Sequence, residues 1–162
     1  DAIYLAKIET KYWIEYICKR FENTGKHISP ELAEEICRLV DNHSSYVQQL
    51  SWLLWIRTIN TATTEQLSYA LEDLLDQNNI LFQSETENLS AYQMNFLKAI
   101  VDGIHTKFSS KEVISKYNLG TSANIVRLKN ALLQKELIET NGKEIVLADP
   151  VFGVWFKKEM LY

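Results

Sequence analysis

Apolar residues recur at three- and four-residue intervals between residues 10 and 78, the spacing of helices that bury one face. Thr10 is predicted to cap a first helix, and Ser29-Pro30-Glu31 gives a second helix a capping serine followed by a proline. A third helix, from Tyr46 to about Ile59, is apolar on nearly every side, which is typical of a central helix. With a fourth helix opening at Thr63-Thr64-Glu65, residues 10–78 are predicted to form a small helical bundle.

Two segments lack this periodicity. Residues 1–9 are too short for a sheet of their own, so they are predicted to be an extended segment that leads from a core domain upstream of the chain. Because no initiator methionine precedes Asp1, the chain is expected to be a piece of a longer protein. Residues 76–88 are polar and acidic apart from Ile80-Leu81-Phe82. The segment 79–89 is therefore predicted to be a linker, with its apolar triplet docked on a neighbouring element.

Helical signals resume at Ser90. Ser90 with Gln93 three residues later predicts a capping box at the start of one helix, and Ser109 with Glu112 predicts a second. The second helix ends in a tight turn that contains glycine, Asn118-Leu119-Gly120, as helix-turn-helix units do. Ser122 is then predicted to cap a third helix, in the position of a recognition helix.

A hairpin signal follows the third helix. The segments 137–140 and 143–147 flank Asn141-Gly142, a strong short-range indicator of a two-residue turn. Asp149-Pro150 then predicts a last helix whose apolar side comprises Phe152, Trp155, Phe156 and Met160. We therefore expect a mainly α protein in which residues 90–162 form a winged helix-turn-helix domain with a two-stranded wing.

Charge is distributed unevenly along the chain. Residues 1–90 hold seven Lys/Arg against fourteen Asp/Glu, whereas residues 91–162 hold ten against seven. Nucleic acid is one partner that a positive half favours. If the domain binds DNA, Arg127, Asn130 and Gln134 would meet base edges on the third helix, and Lys129 and Lys143 would contact phosphates. An excess of three positive charges is small for such a domain, so docking to a protein is the alternative.

Several kinds of chemistry have no sequence signature in this chain. It contains no G-x-x-x-x-G-K-[ST] phosphate loop, no H-E-x-x-H, no C-x-x-C and no G-x-S-x-G. We therefore expect no catalysis, metal site or cofactor within it. Cys18 and Cys37 lie on apolar helix faces and are predicted to be reduced thiols. No signal peptide is evident and no apolar run approaches the ~20 residues of a membrane span, so a cytoplasmic location away from membranes is expected.

The chain resembles a known family. The run from Tyr4 to Trp55 is similar to the helical lid of the archaeal-type ATPases, a branch of the AAA+/STAND P-loop nucleotidases. The terminal segment from Asp149-Pro150 to Trp155-Phe156 resembles the end of the winged helix that follows this lid. The resemblance implies a missing N-terminal ATPase domain, with ATP and Mg²⁺ as the cofactors of the full-length protein.

One departure from that family concerns the nucleotide. Relatives carry a Gly-x-Pro element that approaches the adenine, and residues 41–47 stand in its place with neither the glycine nor the proline. The resemblance implies that His43, Ser44, Ser45 and Tyr46 line the base or ribose side of the site. The alternative is that Ser44 or Ser45 merely caps the helix and that His43 is a solvated turn residue. No sensor arginine is evident.

Three functions follow from these observations. The favoured one is the C-terminal output region of a P-loop ATPase, which couples the ATP state of the upstream domain to a winged helix that docks protein or DNA. The second is a DNA-binding module of a transcription regulator. The third is a structural unit for protein interaction. We favour the first because the basic excess is small and the winged helix follows an ATPase-like lid.

Overall fold

The computed structural model describes residues 7–161, so most of the predicted extended segment 1–9 lies outside the described residues. The elements follow one another as α1 (Thr10–Glu22), α2 (Pro30–Leu39), α3 (Ser44–Arg57), α4 (Thr64–Glu87), α5 (Ala91–Val101), α6 (Lys111–Tyr117), α7 (Ser122–Gln134), β1 (Ile138–Asn141), β2 (Glu144–Leu147) and α8 (Pro150–Met160). The protein is mainly α with one two-stranded sheet, as predicted. It divides into two compact units between Asn78 and Asn79.

The first unit contains α1, α2, α3 and the first part of α4, packed around an apolar core. Among its most deeply buried side chains are Ile17, Ile36, Leu50, Leu54 and Leu74, which come from all four helices. An isolated parallel bridge ties the loop after α1 to the loop after α3. In this bridge the amide of His27 donates to the carbonyl of Asn60, and the amide of Ala62 donates to the carbonyl of His27, each at 2.8 Å.

The start signals of these helices are only partly as predicted. Ser29 caps α2, because its hydroxyl accepts the amide of Leu32 at 3.1 Å. Thr10 is not a cap: it is the first residue of α1, and its hydroxyl pairs with the side chain of Asn42. The cap prediction was wrong for Thr10 because its hydroxyl has a partner 32 positions away, which no local pattern can show.

α3 is not the central helix that its composition predicted. Its buried residues are Val47, Leu50 and Leu54, whereas Trp52 and Ile56 are more than half exposed. The surplus of apolar residues on this helix therefore faces solvent. Composition alone cannot distinguish a side chain buried in a core from one held at a surface.

The segment 79–89, predicted to be a linker, is mostly helical, because α4 continues through it as far as Glu87. The segment contains neither glycine nor proline, so neither of the strong helix breakers interrupts α4 before Glu87. Phe82 is completely buried, with its ring centroid 5.4 Å from that of Phe152 and 5.6 Å from that of Trp155. Of the apolar triplet only this residue docks, while Ile80 and Leu81 are exposed.

The second unit has the element order of a winged helix, with three helices, a hairpin and a closing helix. α7 buries the three residues predicted for its inner side, Ile125, Leu128 and Leu132. α8 contributes an aromatic face to the core, made of Phe152, Trp155 and Phe156. The indole N–H of Trp155 donates to the side-chain oxygen of Asn79 at 2.8 Å, which fixes the second part of α4 onto α8.

The helix caps of the second unit lie at the predicted residue in two helices and one residue away from it in two others. The Ser90–Gln93 box is present at the start of α5, with both reciprocal hydrogen bonds. Asp149 caps α8 by accepting two backbone amides at 2.9 and 3.1 Å. The cap of α6 is Ser110 and not Ser109, and Ser122 is the first residue of α7 and not its cap. In both cases two adjacent hydroxyl residues gave the sequence no means of choosing between them.

The predicted wing hairpin is present, with its turn displaced by one residue. Asn141 pairs with Glu144, so the loop is Gly142-Lys143 and not Asn141-Gly142. Gly142 supplies the positive φ of 64° that this turn needs. A segment before α6 extends the sheet edge: the amide of Ile145 donates to the carbonyl of His105 at 2.9 Å, and His105 Nδ1 lies 3.0 Å from the carbonyl of Ile145.

Both cysteines are free thiols, as predicted. Burial raises the pKa of Cys37 to about 11. Burial also raises the pKa of Cys18, and the charges of Glu22 and Glu31 add to this effect. Because the thiolate is the reactive form, the raised pKa lowers the reactivity of both thiols. Within residues 7–161, no helix combines the length and apolar character needed to cross a membrane.

Candidate docking and nucleotide-contact sites

The outer face of α7 is the surface that a winged helix presents to a partner. Five exposed side chains at helical spacing form this face: Ala123, Val126, Arg127, Asn130 and Gln134. The three residues predicted to meet base edges therefore lie together on the surface. They surround Val126, which is 63% exposed, and Arg127 is the single cation among the five. The face is thus mostly uncharged.

The two lysines predicted to contact phosphates are placed differently. Lys129 is half-buried on another side of α7, and Lys143 is exposed in the turn of the wing. Glu139 and Glu144 are exposed on the strands that flank this turn. Since attraction to a duplex depends on positive charge at phosphate positions, these carboxylates oppose it.

The residues predicted to approach a nucleotide lie at the N-terminus of α3. In the turn before them, Asp41 and Asn42 have φ values of 49° and 53°, a left-handed conformation that glycine adopts more readily. Lys7 holds this turn, because its Nζ donates to the carbonyl of Asp41 at 2.8 Å and to its carboxylate at 2.9 Å. Side-chain contacts of Lys7 thus hold a turn that contains neither glycine nor proline.

His43 and Tyr46 form an aromatic pair at this end of α3. Their ring centroids are 4.7 Å apart, with the planes inclined at 44°. His43 occupies the cap position without a side-chain capping bond. Its Nδ1 is buried and has no hydrogen-bond partner among the described residues, a condition that costs about 1–3 kcal/mol for a neutral polar group. A ligand that supplied a partner here would recover part of that cost.

The two serines of this loop have different surroundings. Ser44 is half-buried as the first residue of α3, while Ser45 is exposed and accepts the side-chain amide of Gln49 at 2.9 Å. The alternative in which one of them caps the helix is wrong, since the cap position belongs to His43. The four predicted residues are brought together only as neighbours along the first turn.

Arg57 is the last residue of α3, and Asp73 of α4 holds it. Two hydrogen bonds join the guanidinium to that carboxylate, at 2.7 and 2.9 Å, and they raise the pKa of Arg57. This arginine serves the packing of α3 against the first part of α4. No cluster of three or more His, Cys, Asp or Glu side chains able to hold a metal ion occurs among residues 7–161.

An aromatic groove between α1 and α3, which we call the α1–α3 groove, was not predicted from the sequence. It has a volume of about 370 Å³, and its walls include Trp13, Tyr16 and Arg20 from α1 and Trp52 and Trp55 from α3. The sequence did contain a signal for this groove. A helix that is apolar on every side is expected in a core, but it is equally expected where one apolar face is exposed for binding. Those surplus apolar residues of α3 were predicted to lie in the core.

Comparison with known proteins bears on both units. Residues 80–158 match a family described as a probable winged helix domain. This stretch contains α5 to α8, the hairpin and the second part of α4. The second unit is a winged-helix domain. No curated protein sequence matches the chain.

A solved structure is similar to the chain over nearly its whole length. It is a Walker-type ATPase of Pyrococcus abyssi, with a TM-score of 0.69 and 18% sequence identity. The similarity covers 93% of this chain but 42% of the solved one, so this chain spans well under half the length of that protein. At this identity the likeness concerns the fold, and it includes the helices of the first unit as well as the winged helix.

Proposed function

We propose that this chain is the lid and winged-helix region of a P-loop ATPase, and that its winged helix docks a protein partner. The observation that carries the proposal is the likeness of 93% of the chain to part of a Walker-type ATPase. Winged helices occur in proteins of many functions, so the second unit alone would not favour an ATPase. The helical bundle that precedes the winged helix is what favours an ATPase, because residues 4–55 resemble an ATPase lid.

In this proposal the hydrolysis of ATP belongs to a domain upstream of the chain, which would hold ATP with Mg²⁺. The first unit contributes the end of α3 to the base or ribose. The rings of His43 and Tyr46 offer a stacking surface, and the buried Nδ1 of His43 offers a polar contact. Nucleotide would thereby favour one placement of the bundle against the upstream domain, and that preference is the free energy available for signalling.

A protein partner suits the winged helix better than DNA does. The outer face of α7 carries one cation and an exposed valine, and glutamates flank the turn of the wing. DNA-binding domains instead concentrate Lys and Arg on the face that meets the duplex. A mostly uncharged face with an apolar centre is closer to the composition of a protein interface.

Nucleotide binding to the longer protein, including the upstream domain, tests the role of the α3 loop. We expect His43→Ala and Tyr46→Ala each to weaken ATP affinity by about tenfold, the effect of losing one good contact. His27→Ala and Tyr69→Ala are matched controls, because both residues are exposed and lie outside the loop. Unchanged affinity in both loop variants would remove the loop from the proposal, whereas absence of ATP binding in the unaltered protein would remove the ATPase itself.

Duplex binding measured across a salt series tests the choice of partner. We expect no measurable affinity of the 162-residue chain for a random duplex, even at low salt. Affinity that falls steeply with salt and drops again in Arg127→Ala would show phosphate or base contacts. That outcome would replace the protein partner with DNA at this face.

A further inference from the structure

The α1–α3 groove has the size and lining of a binding site. Its volume of about 370 Å³ lies within the range of pockets that hold ligands, about 300–1,000 Å³. On the α3 side, Trp52 and Trp55 are stacked with their centroids 5.1 Å apart. On the α1 side, Trp13 and Tyr16 meet edge to face at 5.8 Å. Because ring contacts within each helix already shape both walls, a guest would not have to order them.

Among the described residues that line this groove, Arg20 is the one that is charged, and none is a carboxylate. Its guanidinium lies over the ring of Tyr16, 5.6 Å from the centroid. Lys26 adds a second positive charge, with Nζ 3.9 Å from the centroid of Trp55 and hydrogen-bonded to the carbonyl of that residue. Apolar walls with positive charge complement an apolar group that has a carboxylate beside it.

The tryptophans of the groove differ in how their N–H groups are satisfied. The indole of Trp55 donates to the hydroxyl of Thr24 at 2.8 Å. The indole of Trp13 has no acceptor among the described residues, although the residue is only 4% exposed. A buried donor without an acceptor costs about 1–3 kcal/mol, so an acceptor that reached it from a guest would gain affinity.

Apolar surface continues beyond the groove along both helices. Tyr12 on α1 is 56% exposed, and Trp52 and Ile56 on α3 are 58% and 53% exposed. A small molecule that filled the groove would leave Tyr12 and Ile56 in water, whereas a protein segment lying along the helices would cover them. Tryptophan, tyrosine and arginine are also the residues that dominate binding energy at protein interfaces.

We propose that the α1–α3 groove receives an acidic segment of a partner protein. The segment places an aromatic or large aliphatic side chain between the α1 and α3 walls and sets a neighbouring carboxylate against Arg20. This site does not depend on the ATPase proposal, because its lining contains none of the residues 43–46 that are proposed to approach the nucleotide. It is also separate from the outer face of α7, so the chain would have two docking surfaces.

The indole N–H signals of the four tryptophans test this site in ¹⁵N-labelled protein. Trp13, Trp52 and Trp55 line the groove, and Trp155, buried in the second unit and bonded to Asn79, is an internal reference. The probes are the peptide acetyl-Ala-Glu-Phe-Leu-Glu-Ala-amide and its counterpart with both Glu replaced by Gln. We expect saturable shifts of the three groove signals alone, and about tenfold tighter binding of the acidic peptide.

Variants then assign the binding energy. Arg20→Gln is expected to remove the preference for the acidic peptide, and Trp52→Ala to weaken both peptides. Tyr69→Ala replaces an exposed aromatic residue on α4, outside the groove, and is expected to change neither affinity. All three residues are exposed, so the variants should fold, and circular dichroism verifies this.

Four results would overturn the proposal. Equal affinity for the two peptides would show that charge does not contribute to binding. Indole N–H signals of Trp13, Trp52 and Trp55 that do not shift would show that the peptide does not bind in the groove. Binding of N-acetylphenylalanine as tight as that of the acidic peptide would make the groove a small-molecule site. Self-association of the chain that is lost in Trp52→Ala would make a second copy the occupant.

Discussion

Each unit has a cluster of aromatic residues around tryptophan, and the two clusters differ in what covers them. In the second unit Phe82, Phe152 and Trp155 are at most 1% exposed, because α4 lies on α8. In the first unit Trp52 is 58% exposed and Tyr16 is 46% exposed, and no described element covers them. Similar residue types therefore stabilise one unit and leave an open surface on the other. A cluster of aromatic residues in the sequence therefore does not indicate whether the cluster is buried by the same chain or left exposed.

Among the substitutions that test this difference between the units, Phe82→Ala should reduce stability most. Removing a fully buried phenylalanine costs about 3–5 kcal/mol in unfolding free energy. Hydrogen exchange should show the loss at the amides of α8, with those of α2 much less affected. Leu81→Ala is the matched control, since the neighbouring side chain is 55% exposed and should change stability by less than about 1 kcal/mol. A similar loss in both variants would mean that the cluster is not the core of its unit.

Asp149→Ala tests how that cluster is held in place, with a smaller effect. The carboxylate caps α8 through two amides, and loss of such a cap costs about 1 kcal/mol. Chemical denaturation should detect the decrease. Asp149→Asn retains an accepting oxygen and should recover most of the stability. If it does not, the charge of Asp149 matters more than the cap.

Trp52→Ala should change the stability of the first unit by about 1 kcal/mol or less. The side chain is mostly exposed, so the main loss is its stacking on Trp55, and such ring pairs contribute about 0.5–1.5 kcal/mol. The same denaturation measurement on Trp155→Ala, which removes a buried ring, provides the contrast. If Trp52→Ala were as destabilising as Trp155→Ala, the groove would be part of the core and the comparison between the units would fail.

Glu85→Gln should give the smallest effect, and one that depends on pH. Burial, followed by the charge of Asp149, raises the pKa of Glu85 in the folded protein. Folding therefore favours the protonated carboxyl, and its contribution to stability is present at low pH and lost as the pH rises through the folded pKa. Glutamine stays neutral, so we expect a slightly higher melting temperature for the variant at neutral pH and no difference near pH 3.5. Glu87→Gln, an exposed neighbour, should show neither effect.

The sequence predicted those parts of the fold that depend on local patterns. The Ser90–Gln93 box, the cap by Asp149 and the inner side of α7 involve residues close together in the chain, and all three are present. Thr10 was misassigned because its partner, Asn42, is distant in sequence. The second part of α4 was predicted to be a linker because it is mostly polar, and the burial of Phe82 against α8 cannot be inferred from its local sequence.

The candidate sites were less accessible to sequence analysis. Arg127, Asn130 and Gln134 share an exposed face, as helical spacing predicted, but the exposure of Val126 beside them could be known only from the structure. The nucleotide role of His43, Ser44, Ser45 and Tyr46 stays a prediction. The α1–α3 groove was not predicted, because helical spacing indicates which residues share a face but not whether another element packs against that face.

The hydrogen bond between Trp155 and Asn79 also has a consequence for the order of folding. It joins residues 76 positions apart, and the buried ring of Phe82 likewise depends on α8. During synthesis, α8 is made after every other element of the second unit, so the start of this unit waits for its end. Such distant pairing also slows folding, because a long loop must close before its contacts form. Until then Phe82 lacks the rings of Phe152 and Trp155 that bury it in the folded unit.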